Sequence, residues 1–331
     1  MDKWEVCGLE VSARELVVAE GTKPVQRYAN TAAGHRKLVE TLTRGGKRVR
    51  VAMEATGTYG LDIALALSGT AGVEVMVANP RAVHSFAQAM MQRSKTDPLD
   101  AVVLREFALR MPFRAWTAPS QNRLTLWSIA RRLQELSQSC AAEKNRLHAL
   151  EQSQAMAGPV RRNIQQHLRF LESSRKQLRQ QAQRCIAAEP EFKHRYQLLL
   201  SVPGIAERSA ILILGELTML AKDRDVRQWV AFAGLDPSEH TSGQSVRHRP
   251  RLCKAGNRYL RQALFMPALV SIRWEKHLAG FYHHLLERGK ARMQALLAVA
   301  RKLLHAIYGM FRTNQPYDGR LVFQLPAQNM A

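Results

Sequence analysis

Four carboxylates are placed where chemistry at phosphorus would need them. Glu10 closes one apolar run, Glu54 closes another, and Asp97 and Asp100 stand three apart at the head of a third segment. Helical i, i+3 spacing puts the last two on one face, and acids at strand ends can converge with them on one point. An all-oxygen donor set of this kind suits Mg²⁺, which takes carboxylate, water and phosphate oxygens. Two such ions can clamp the attacking and leaving oxygens of a phosphoryl transfer. Taken singly, each acid has a plainer reading: a surface charge at Glu10, a loop acid at Glu54, a helix cap at Asp97. Placed together at element ends, the catalytic and the plain readings stand level.

A second constellation lies far along the chain. Thr241-Ser242-Gly243-Gln244-Ser245 is followed by Arg247, Arg249, Arg251, Lys254, Arg258 and Arg261, with no acid between 247 and 261. Serine beside glycine exposes a hydroxyl on a turn, and clustered guanidinium groups hold phosphate bidentately and stabilise developing charge. A serine attacking a phosphodiester would form a covalent phosphoserine. From the residues alone, a phosphate-binding loop without catalysis is the simpler account. His240 and His248 flank the serine as candidate general bases.

The elements that must position these groups fall into three segments. Residues 4–10 and 15–20 read as strands around a turn at Val11-Ser12-Ala13-Arg14, 31–43 as a helix, and 48–53 as a strand ending at Glu54. After the turn at Ala55-Thr56-Gly57-Thr58 comes a helix to about 70. A strand at 73–78 follows, then a helix from Asn79-Pro80 and another from Asp97-Pro98, with proline in its first turn and acids at the positive end of its dipole. An antiparallel opening followed by crossover helices implies an α/β domain with a mixed sheet over 1–115. Pro112 and Pro119 bracket a linker. Beyond it, Leu126, Ile129, Leu133, Leu136, Cys140, Glu143, Leu147 and Leu150 step by three and four, a coiled-coil seam. Gly158-Pro159 breaks the seam, and a weaker one continues at Ile164, Leu168, Leu171, Leu178 and Cys185 among arginines. This helical segment, 116–190, reads equally as an intrachain hairpin or as a dimer element touching nucleic acid. The remainder, 191–331, is mainly helical. Its run 198–217 has helix–hairpin–helix spacing around Pro203-Gly204, whose free backbone N–H groups could hold a phosphate.

The 331 residues carry 49 Lys and Arg against 27 Asp and Glu, a net charge of +22. A surplus that large implies a polyanionic partner, nucleic acid before a membrane surface. The one net-acidic stretch among successive fifty-residue windows is 51–100, which holds three of the four acids above. No 18-residue apolar run exists to span a bilayer, and the first residues lack a signal-peptide layout. Cys7, Cys140, Cys185 and Cys253 lie far apart without a CxxC pair, which argues against a zinc ribbon or a disulfide scaffold and fits reduced cytosolic thiols; the expected location is cytoplasmic and nucleoid-associated.

At this point the motifs GLEVS (8–12), MEATGTYG (53–60), KTDPLDA (95–101), SVPGIAERSA (201–210), FAGLDP (232–237), TSG (241–243) and KAGNRYLRQAL (254–264) are decisive as a set. In this order the chain resembles, over essentially its whole length, the insertion-sequence one-ten family of transposases, the bridge-RNA-guided recombinases. The resemblance implies an RNase H-like (RuvC-like) domain with a D-E-D-D set, a coiled-coil segment, and a C-terminal transposase domain with a catalytic serine. Carried over, Glu54, Asp97 and Asp100 match the second to fourth acids and Ser242 the nucleophile. Glu10 stands where the family has Asp, one methylene longer. The implied chemistry is Mg²⁺-dependent: Ser242 attacks a DNA phosphate, releasing a 3′-hydroxyl, and strands are exchanged and rejoined without ATP. Target and donor DNA are chosen by pairing with a bridge RNA, while protein reads shape and backbone. The implied assembly is a homo-oligomer, a dimer and in the synaptic complex a tetramer, in which serine and acids meet across subunits. Gly204, Arg247, Arg249, Arg251, Lys254, Asn257, Arg258 and Arg261 are the expected nucleic-acid contacts. Two other readings compete: a RuvC-type junction nuclease using water, with no covalent intermediate, and a binding protein without strand chemistry.

Overall fold

The computed structural model describes residues 4–55, 57–152, 158–221, 223–238, 251–253 and 255–325, with the backbone alone of 241–242 and 246–247. The chain divides into two compact units, 1–118 and 119–331.

The first unit is built on one five-stranded sheet. Strands β1 (Glu5–Val11), β2 (Glu15–Glu20) and β3 (Gln26–Ala29) form an antiparallel meander, followed by α1 (Ala32–Thr43). Then come β4 (Val49–Glu54), α2 (Leu61–Ser68), β5 (Val73–Ala78), α3 (Pro80–Ala89) and α4 (Asp97–Arg110). The sheet order is β3-β2-β1-β4-β5, with β1, β4 and β5 parallel. The expected mixed sheet is therefore present; the third meander strand, short and mostly exposed, had no apolar alternation to announce it.

Period-2 alternation divides the strands between two layers. Cys7, Leu9, Val11, Leu16, Val18, Val49, Val51 and Met53 face α1 and α2, where Leu38, Leu42, Ile63 and Leu67 close the core. The opposite face is built of small residues. Gly8 on β1, Ala19 on β2 and Ala52 on β4 lie under α4, whose Ala101 is fully buried. A Cβ at Gly8 would collide with the Ala101 carbonyl oxygen and come within 2.5 Å of the Arg105 nitrogen, so only glycine admits the helix at this depth.

The second unit is helical. Its elements are α5 (Gln121–Glu151), α6 (Gly158–Ala187), α7 (Pro190–Leu200), α8 (Glu207–Leu217) and α9 (Val226–Ala233). Four two-residue strands follow: β6 (Pro237–Ser238), β7 (Thr241–Ser242), β8 (Val246–Arg247) and β9 (Arg251–Leu252). The unit ends with α10 (Arg258–Trp274), α11 (Lys276–Glu287) and α12 (Arg292–Thr313). Helix α6 begins at the Gly158-Pro159 that the sequence offered as a break, and α5 and α6 pack on each other within the chain.

The apolar seam of α5 packs against α6 along its length, through Ala182 and Ile186 near its start and Leu171 further along, and its first half also enters the main core. Leu126, Ile129 and Leu133 enter the main core of this unit, where Gly215 of α8 comes so close that a Cβ would stand 2.5 Å from that of Ala130. Further along, Leu136 and Cys140 meet Leu171 of α6. No described helix is long and apolar enough to cross a membrane.

Candidate active site

The four acids predicted from sequence all lie in the first unit, and the sheet explains why they approach one another. Glu10 is two residues beyond Gly8 on the α4-facing side of β1, opposite Val17 of β2. Glu54 ends the adjacent parallel strand, one step past the Leu9–Met53 pair, so the two carboxylates leave neighbouring strands at the same sheet edge. Helix α4 runs the other way. Its Ala101 sits on Gly8, and Asp97 lies one turn earlier. Two strand residues advance about 6–7 Å and four helical residues about 6 Å, so Glu10 comes level with Asp97 and Asp100.

The electrostatics follow from that placement. Burial pushes the half-buried Glu10 carboxyl up to about 7, with further upward pushes from Glu54, Asp100 and Asp97 that Lys95 only partly offsets. Burial also raises Asp100, against the pull of Lys95 and with a push from Asp97. Negative charge has thus been concentrated where burial disfavours it. Among the described residues none of the four carboxylates has a hydrogen bond or ion pair to a side chain.

This donor set matches a hard divalent cation in chemistry. It is not a closed cage: among the described residues no three His, Cys, Asp or Glu side chains stand close enough together to hold a metal ion. An open set is compatible with Mg²⁺, which keeps several waters and takes one or two protein carboxylates plus phosphate oxygens.

Ser242 lies in the second unit, on β7, whose backbone pairs with β8 so that Ser242 faces Val246 and Thr241 faces Arg247. In a separate two-stranded sheet β6 pairs with β9, and the Cys253 N–H donates to the Asp236 carbonyl at 2.9 Å. Of the basic residues predicted here, Arg249 and Lys254 lie outside the described residues, as do His240 and His248, and Arg247 is described by backbone alone. Arg251 is exposed on β9, and its carbonyl accepts from Ser238 Oγ. Arg258 is exposed, its guanidinium against the ring of Tyr259.

Three of the predicted contacts have structural duties that sequence did not reveal. Asn257 caps α10 through its Oδ1, which accepts from the Tyr259 and Leu260 N–H groups, and its Nδ2 donates to Glu216. The Arg261 guanidinium donates to the Ala233 carbonyl at the end of α9 at 2.8 Å. Gly204, at φ 103°, faces α10 so closely that a Cβ would stand 2.5 Å from Ser271 Oγ, so packing alone already requires glycine there.

Sequence reasoning missed the residue that ties this region together. Glu216, 2% exposed, accepts from Arg131 of α5 at 2.9 Å and from Asn257 of α10 at 2.5 Å. Arg131 in turn is sandwiched by Trp127 and Tyr259. The signal was available: one acid inside the apolar run 211–220. A buried carboxylate needs partners of this kind. Gly256, packed against the end of α9, and Asn257 therefore fix the point where the serine-bearing segment rejoins the helices.

Comparison with known proteins divides the chain in the same way. A transposase family model of the DEDD IS110 type matches residues 8–153, which contain all four acids. The Transposase IS116/IS110/IS902 family model matches residues 196–283, which contain Ser242. The chain is 29% identical to the pilin gene-inverting protein of Moraxella bovis over 271 residues, 81% of this chain and 82% of that protein. It is 30% identical to an insertion element IS110 uncharacterized 43.6 kDa protein of Streptomyces coelicolor over 126 residues, 38% of this chain and 30% of that one. A 42 kDa protein of insertion element IS900 from Mycobacterium paratuberculosis is 31% identical over 132 residues.

Proposed function

The chain belongs to the IS110 family of transposases, and from that premise we propose that it is an RNA-guided DNA recombinase working through a phosphoserine intermediate. That it is a DNA transposase follows from the family; the route is our reading. The observation that carries it is the convergence of Glu10, Glu54, Asp97 and Asp100 at one sheet edge, with the Glu10 carboxyl pushed up to about 7 by burial and by its three neighbours. Acids crowded in this way gain from a cation and from the phosphate that it bridges.

In the proposed reaction the Ser242 hydroxyl attacks a DNA phosphate. The bond from its oxygen to phosphorus forms as the bond to the 3′ oxygen breaks. The 3′ oxygen leaves as a hydroxyl, with the serine proton balancing it. The ester retains the bond energy, so a 3′-hydroxyl of another strand can reverse the step and no ATP is needed. The carboxylates would hold Mg²⁺, which supplies Lewis-acid stabilisation of phosphate oxygens and a lowered hydroxyl pKa. The exposed Arg251 and Arg258, with Arg247, Arg249 and Lys254, bind backbone phosphates.

The partners are a bridge RNA, which reads sequence, and target and donor DNA. In this reading the chain has three functional segments. Residues 1–115 carry the acids on an RNase H-like domain. Residues 116–190 form the helical coiled-coil segment, its two helices paired within the chain, and the protein works as a homo-oligomer, dimeric and then tetrameric at synapsis. Residues 191–331 carry the serine, with a helix–hairpin–helix at 198–217 in which Gly204 fixes the turn and the first N–H groups of α8 face phosphate.

The test is incubation with the flanking non-coding RNA, both DNA partners and Mg²⁺, followed by a denaturing gel. A protein–DNA adduct should form and be absent for Ser242→Ala. Unimpaired recombination by that variant overturns the proposal. Nicking without an adduct, dependent on Glu54, Asp97 and Asp100, would instead identify a junction nuclease that uses water.

A further inference from the structure

The strands that carry Glu10 and Glu54 end in two loops, and one side chain joins these loops. Asn30, at the end of β3, donates from Nδ2 to the Ser12 carbonyl at 2.8 Å and to the Tyr59 carbonyl at 3.1 Å. Ser12 is two residues past Glu10, in the tight turn to β2. Tyr59 is five residues past Glu54, just before α2. The Asn30 N–H donates to the Arg14 carbonyl, so its backbone is tied to the first loop as well.

The orientation of the amide follows from its partners. Two carbonyls can only accept, so the NH₂ must face them and Oδ1 must face the other way. There it meets Nε2 of His35, a buried residue of α1, at 2.7 Å. An amide oxygen can only accept, so His35 carries its proton on Nε2. Burial pushes His35 below its ordinary range, which favours the neutral ring. The clip thus runs from the α1 core through one amide to both acid-bearing loops. Neither residue touches the carboxylates.

We propose that Asn30, held by His35, is a positioning residue that fixes the spacing of Glu10 and Glu54 and so sets the affinity of the acid cluster for a divalent cation. This rests on the reading of the four carboxylates as a cation site. Crowded acids without a closed cage depend on the backbone to resist their mutual repulsion. Groups hydrogen-bonded directly to metal ligands change metal affinity by about ten- to a hundredfold, and a clip one step further out is expected at the lower end of that range.

The experiment uses the full chain and Mn²⁺ as probe, with binding read by calorimetry or electron paramagnetic resonance, and thermal unfolding recorded in EDTA. Asn30→Ala should weaken Mn²⁺ binding about tenfold while the melting temperature in EDTA stays close to that of the parent. His35→Leu, which cannot donate to Oδ1, should do the same, and His35→Gln, which can, should restore affinity. Should Asn30→Ala fold poorly, the His35 pair decides. Equal Mn²⁺ affinity in parent, Asn30→Ala and His35→Leu overturns the inference. Absence of Mn²⁺ binding by the parent, or binding undiminished in Glu54→Gln, overturns instead the carboxylate reading on which it rests.

Discussion

Glu10 illustrates how one residue can be held in an unfavourable state by its neighbours. Its carboxyl titrates near 7 when folded, against an ordinary 4.5, with burial the largest cause and Glu54, Asp100 and Asp97 next. Below pH 4.5 both folded and unfolded chains hold the proton and the group contributes nothing. Between 4.5 and 7 the unfolded chain releases it while the folded chain keeps it, so folding stability falls as pH rises, and the loss is complete above 7. Metal-free Glu10→Gln should therefore match the parent at pH 4.5 and be more stable at pH 8, with the difference growing across that window. Melting curves in EDTA at a series of pH values check this. A pH-independent difference would mean that neither burial nor the neighbouring acids shift Glu10.

At the scale of elements, the decisive contact is α4 on β1. Small residues at Gly8, Ala19, Ala52 and Ala101 let the helix lie directly on the sheet, and that depth brings Asp97 and Asp100 to Glu10. Gly8→Ala places a methyl group against the Ala101 carbonyl oxygen. The helix must shift, at a cost of about 1–3 kcal/mol, and strand cleavage should be lost out of proportion to the loss of fold. Urea unfolding of the full chain beside a cleavage assay separates the two effects. A variant with parent activity would show that the acids tolerate the displacement. The same logic of close approach holds at Gly215, where α8 meets α5.

For the whole molecule, charge is the dominant property. A net +22 on 331 residues predicts nucleic-acid binding driven by counterion release, with log affinity falling linearly in log salt at about −0.9 per phosphate contacted on duplex DNA. Fluorescence anisotropy on duplex DNA should show affinity dropping by roughly a thousandfold between 50 and 200 mM salt if six or more phosphates are engaged. A shallow slope would assign the surplus to solubility. Several arginines are already committed internally, Arg131 to Glu216 and Arg123 to Glu191 among them, so net charge overstates the cations free for phosphate.

Much was legible in the residues themselves. Period-2 runs ending near Glu10 and Glu54 and the Asp97-Pro98 helix start follow from local rules of alternation and capping, and these act between near neighbours in the chain. What the sequence alone could not supply were pairings between distant residues: β1 beside β4, α4 on Gly8, Asn30 reaching Ser12 and Tyr59, and Glu216 claiming the Asn257 side chain. Such contacts have no spacing to betray them, because a hydrogen bond or a close approach depends on where the folded backbone brings two groups. Residue type and local pattern named the candidate acids; burial and mutual approach, which exist only in the tertiary structure, decided that they share one electrostatic field.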